Sequence, residues 1–95
     1  MSKIALLGPS YLTEPLKACG IETFACDSGP AGCSHLKVLL EKREHAVVFI
    51  TERLAQEFSD EIAAAEEKDL NIVLLPDHRG SLGLYREKLK GLIHD

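Results

Sequence analysis

The stretch Ala46-Val47-Val48-Phe49-Ile50-Thr51 is a nearly unbroken apolar run, rich in β-branched residues. A strand wetted on one side would alternate apolar and polar residues. This one does not, so it suits a strand covered on both faces, as in a parallel sheet between helices. Asn71–Leu75 reads the same way, and two further strands are expected at Lys3–Leu7 and Ile21–Cys26. Helical spacing fills the gaps. A short helix is expected over Thr13–Cys19, with Pro15 in its opening turn, Thr13 as cap and Gly20 as the left-handed stop. A second is expected over Ala31–Glu44, entered at Gly29-Pro30, with Leu36, Leu39 and Leu40 toward the sheet. A third is expected over Glu52–Lys68, capped by Thr51, with Leu54, Phe58, Ile62 and Ala65 on one stripe. A fourth is expected over Leu82–Ile93, capped by Ser81, with Leu82, Tyr85, Leu89 and Leu92 in phase.

The order is therefore β-α-β-α-β-α-β-α. Short connections between alternating elements imply a parallel sheet with right-handed crossovers. The expected fold class is α/β: a three-layer α-β-α sandwich around a four-stranded parallel sheet of order 2-1-3-4, a flavodoxin- or receiver-like winding. Ninety-five residues leave room for one domain, 1–95, with an adequate but thin core. No internal repeat, linker or low-complexity stretch interrupts it.

Composition narrows the function. Eleven basic against fifteen acidic residues give a net charge of -4, which argues against a nucleic-acid module and its basic face. No apolar run approaches the ~20 residues that span a bilayer. The short apolar run after Lys3 falls short of a signal-peptide core, so a cytoplasmic protein is expected. Three cysteines, Cys19, Cys26 and Cys33, form no complete disulfide framework and fit a reducing compartment. Their spacing of seven lacks the close pairs of a zinc site, and adding His35 does not supply them.

Open parallel sheets bind ligands beyond the carboxyl ends of their strands. The first of those ends reads Gly8-Pro9-Ser10, which lacks the glycine pattern of a dinucleotide site and the Lys-Ser/Thr of a P-loop. A phospho-acceptor domain needs acids there and an Asp after the third strand; the chain has Pro9-Ser10 and Thr51. Ser10, His78 and Asp27 or Asp77 offer the residue types of a hydrolytic triad, but no nucleophile elbow surrounds Ser10. Pro76-Asp77-His78-Arg79-Gly80 reads as a polar turn, His45 as part of the loop before the third strand, and His94 as terminal. Glu66-Glu67-Lys68-Asp69 reads as a solvated helix end. Cys26, at a strand end, is the candidate reactive thiol. Surplus apolar residues stand elsewhere, at Tyr11-Leu12 and at Leu82, Leu84 and Tyr85, and point to a contact surface.

Several stretches together resemble the F subunit of the vacuolar/archaeal-type rotary ATPases. Val48-Phe49-Ile50-Thr51-Glu52-Arg53-Leu54-Ala55 is similar to that family's apolar strand running into I-T-E-x-I/L-A. Lys3-Ile4-Ala5-Leu6-Leu7-Gly8 resembles its K-I-A-V-I-G opening. Leu16-Lys17-Ala18-Cys19-Gly20-Ile21-Glu22 resembles R-L-A-G-I-E, and the fourth strand ending in Pro76 resembles I-L-x-I-P. The chain departs from the family pattern at Pro9-Ser10, where an acidic residue is usual, and at Pro15-Leu16, where Gly-Phe is usual.

The resemblance implies a non-catalytic component of the central rotor stalk. It would pair with the coiled-coil D subunit of that stalk and couple ATP hydrolysis or synthesis on other subunits to proton or sodium transport. It implies no cofactor, no bound nucleotide, no metal and no catalytic residue. It places the chain in the cytoplasm, peripheral to the membrane through the complex, without membrane insertion of its own. The interface expected for the partner comprises Arg53, Leu54, Leu82, Leu84, Tyr85 and Leu89, and an isolated chain could self-associate through it. The alternative is a stand-alone receiver-like regulatory module without its phospho-acceptor site; a third reading is a small enzyme using a cysteine or the His78 turn.

Overall fold

The computed structural model of the chain describes residues 3–76. Four strands form its sheet: β1 (Lys3–Gly8), β2 (Glu22–Ala25), β3 (His45–Thr51) and β4 (Ile72–Leu75). All pairs are parallel and the order is β2-β1-β3-β4, the winding expected from the sequence. Helix α1 (Ser10–Leu16) and a 3-10 turn (Lys17–Cys19) follow β1; α2 (Gly29–Lys42) follows β2. After β3 come α3 (Glu52–Ala55), a second 3-10 turn (Gln56–Phe58) and α4 (Ser59–Glu67). The expected fourth helix, its Ser81 cap, the turn from Asp77 onward and His94 lie outside the described residues.

Period-two alternation along each strand divides the core. Ala5, Leu7, Val48 and Ile50 point to one face, where Leu36 and Leu39 of α2, Leu54 and Ala55 of α3, Phe58, and Ile62 and Ala65 of α4 cover them. Leu6, Phe49 and Leu75 point to the other, against Leu12 and Leu16 of α1. The stripe read from residues 54 to 65 is thus buried as expected. Leu12, expected at the surface with Tyr11, is a core residue instead.

Three local expectations need correction. Helix α1 starts at Ser10, not Thr13, because the Pro9 carbonyl accepts from the Leu12 and Thr13 N–H groups at 3.0 and 3.1 Å. Thr13 is therefore a buried helical residue, and Pro15 sits inside the helix rather than in its first turn. The bond Pro15 cannot donate would go to Tyr11, which is at the surface, where water can replace it. Gly20 does end this segment in the left-handed region, at φ 80°.

The third helix is not continuous over Glu52–Lys68. It breaks at Phe58, whose backbone (φ -145°, ψ 44°) leaves the helical region. Two glycines of α2 bring that helix close at this point. A Cβ on Gly29 would meet Glu57 at 2.8 Å, and one on Gly32 would meet the Phe58 ring at 2.7 Å. Thr51 occupies the position before α3, but its side chain makes no capping bond; it is buried against Gly8 instead.

His45 is the third correction. It is the first residue of β3, not part of the preceding loop, and its side chain is buried. The register shifts here: Lys3 aligns with His45 but Ile4 with Val47, so Ala46 has no partner on β1. The irregularity leaves Ala46 exposed between buried His45 and half-buried Val47. Its Nε2 lies 3.5 Å from the Glu22 carboxylate.

Candidate functional site

The carboxyl edge of the sheet carries a hollow of about 170 Å³. Each crossover contributes to it: Pro9 and Tyr11 after β1, Cys26 and Asp27 after β2, Thr51 at the end of β3, then Arg53, Leu54 and Glu57. This is where an open parallel sheet would hold a ligand.

The helix most suited to an anion is α2, fourteen residues long, entered directly from β2. Its first turn has no donors to offer. The Gly29 N–H donates to the Glu57 carboxylate at 2.9 Å. Pro30 has no N–H. The Ala31 N–H donates to Ser28 Oγ at 3.4 Å, and Gly32 already bonds the Ser28 carbonyl at 3.0 Å. Glu57 thus puts a negative group at the positive end of the helix, where a ligand's phosphate would otherwise sit. Gly29 makes this possible by letting the Glu57 backbone approach within van der Waals distance.

Cys26, the candidate nucleophile, is 4% exposed. Burial pushes its thiol up to about 11, the neighbouring Asp27 charge adds to the rise, and a hydrogen bond with the Gly8 backbone opposes it. The thiol donates to the Phe24 carbonyl at 3.5 Å. It is therefore protonated at neutral pH, which removes the thiolate that nucleophilic chemistry needs. Thr51, where a phospho-acceptor Asp would stand, is buried. Asp27 lines the hollow; Ser10 is exposed on α1 and does not, and His78 and Asp77 lie outside the described residues. Among the described residues no three His, Cys, Asp or Glu side chains group as metal ligands, and no helix is long and apolar enough to cross a membrane.

Of the expected partner-interface residues, Arg53 and Leu54 adjoin this hollow. Leu54 is 5% exposed and serves mainly the core, whereas Arg53 is exposed. Leu82, Leu84, Tyr85 and Leu89 lie outside the described residues. Glu57 was not singled out in the sequence. Its signal was the Gly29-x-x-Gly32 spacing at a helix start, a flat strip that invites a close neighbour.

No curated protein matches the chain at a significant level. A family model, that of the ATP synthase (F/14-kDa) subunit, matches residues 4–93, nearly the whole sequence. Because that match covers nearly all of the chain, the chain belongs to the family of the ATP synthase (F/14-kDa) subunit, the F subunit of V/A-type ATP synthases that its motifs resemble.

Proposed function

We propose that this protein is a non-catalytic central-stalk subunit of a V/A-type rotary ATPase. It rotates with the coiled-coil D subunit and helps transmit torque between ATP chemistry on other subunits and proton or sodium movement in the membrane sector. All of residues 1–95 act as one α/β body, held at the cytoplasmic side of the membrane through the complex. The observation that carries the reading is the α2 first turn, closed by Glu57, at the carboxyl edge of the sheet, where open parallel sheets bind ligands. A stalk component needs rigidity rather than a ligand, and a sheet packed on both faces supplies it. Its contact with the D subunit runs through Arg53 at the start of α3, beside the buried Leu54, with Leu82, Leu84, Tyr85 and Leu89 further along the chain.

Co-expression with a stalk coiled coil, followed by size-exclusion chromatography, tests this. A one-to-one complex is the expected result, and the purified chain should turn over no ATP. Separate elution of the two proteins at micromolar concentration would overturn the reading.

A further inference from the structure

The outer side of α3, α4 and β4 differs from the rest of the surface. The described strand order puts β4 at an edge, and Leu74 of that strand is 45% exposed. Beside it lies a shallow hollow of about 330 Å³. Buried Ala55 and Ile62 form its apolar floor, and exposed Ser59 and Ala63 keep its wall low. Glu52 and Glu66 stand on its rim. Small side chains along a helix allow another backbone to come close, and an exposed leucine next to them gives it something apolar to cover.

Charge selects the occupant. Residues 52–69 hold seven acids (Glu52, Glu57, Asp60, Glu61, Glu66, Glu67 and Asp69) against two bases, Arg53 and Lys68, a balance of -5. The whole chain is only -4, so everything else sums to +1. Residues 52–69 thus account for the chain's net negative charge, and Glu52 and Glu66 bring two of those carboxylates to the hollow. A second copy meeting the first through this face would set like charges against each other.

We infer that the hollow between Leu74 and α3–α4 docks a basic amphipathic helix, with apolar residues over Leu74, Ala63 and Ile62 and lysines or arginines toward Glu52 and Glu66. The inference rests on the stalk-component reading and extends the contact surface from Arg53 along the acidic face.

The probe is a leucine–lysine peptide of about four helical turns, with its leucines on one stripe; a scrambled peptide of the same composition is the control. Fluorescence anisotropy with the full-length chain should show binding of the probe and not of the scramble, weakening as salt rises. Leu74→Gln and Ala63→Glu should each weaken it about tenfold or more, with circular dichroism confirming that both variants fold. Val38→Glu, on the exposed side of α2, should leave it unchanged. A photoreactive benzoylphenylalanine in place of Gln56, on the rim of the hollow, should cross-link to the probe. Failure of the wild type to bind, equal affinity across the variants, or cross-links to residues 77–95 or to a second copy would each overturn the inference. Co-purification with the stalk coiled coil separates the two claims. If it survives Leu74→Gln and Ala63→Glu undiminished, the groove is wrong and the stalk reading stands. If the stalk protein never binds the wild type, the stalk reading is wrong and the probe alone judges the groove.

Discussion

Helices α3 and α4 are treated in opposite ways on their two sides. Toward α2 everything is closed: Gly29 and Gly32 admit Glu57 and Phe58 to contact distance, and a carboxylate fills the end of the helix. Toward β4 the same helices present alanine, serine and a rim of glutamates beside an exposed leucine. The closed side uses close fit, so small changes there cost stability. The open side uses composition, so changes there should cost association and little else. The fold thus commits one helix terminus at its carboxyl edge to internal packing, while among the described residues the acidic flank of α3 and α4 beside Leu74 stays exposed.

The largest expected effect lies at the closed junction. Phe58→Ala removes a buried ring and should destabilise the chain by about 3–5 kcal/mol, read as a shift of the denaturant midpoint at constant slope. A loss below about 1 kcal/mol would mean that the junction is not tightly packed. Next comes pH. Because the folded Cys26 thiol is raised to about 11 from an ordinary 9.0, the unfolded chain releases that proton first as pH rises. Its contribution is fully present below pH 9 and is lost on the way up to the folded value, at most roughly 2–3 kcal/mol. Stability measured across this window should therefore fall more steeply for the wild type than for Cys26→Ala. Parallel curves would break the assignment. A similar or smaller cost, about 1–3 kcal/mol, is expected for Gly32→Ala, whose new methyl would stand 2.7 Å from the Phe58 ring. The same substitution in a Phe58→Leu background should cost less, since the two positions share one contact.

This contrast also separates what was legible in the sequence from what was not. The sheet was legible because Val48, Phe49 and Ile50 demand cover on both faces, which a parallel sheet between two helical layers supplies. The buried stripe from Leu54 to Ala65 was legible for the same reason. The break at Phe58 was not, because it depends on two glycines more than twenty residues away that only the folded chain brings alongside. His45 was misplaced because β3 was read from its apolar run, which begins at Ala46, whereas the folded chain starts the strand one residue earlier and buries the polar side chain. Glu57 escaped notice because its role is long-range: an acid in the middle of a helical pattern looks solvated until α2 presents Gly29 N–H to it. The exposed Leu74 looked like core, since its strand is apolar throughout and the sequence does not show that the described helices stop short of covering it.

The smallest expected effect is the most discriminating. Leu74 is a leucine in the middle of an apolar strand, paired in register with Ile50, so sequence logic would make it costly to replace. Its exposure argues otherwise: at 45% exposed, nearly half of the residue stays in water on folding, so Leu74→Gln should cost only about 1 kcal/mol. Leu75, its neighbour on the opposite face, is fully buried, and Leu75→Ala should cost about 2–5 kcal/mol. Chemical denaturation of the two variants side by side checks the difference. If Leu74→Gln proves as damaging as Leu75→Ala, the outer flank is already covered within the folded chain, and the distinction between a closed and an open side disappears. If it proves that mild, the leucine's place in the sequence is not explained by the stability of this chain alone, and a contact outside it becomes the physical reason for its presence.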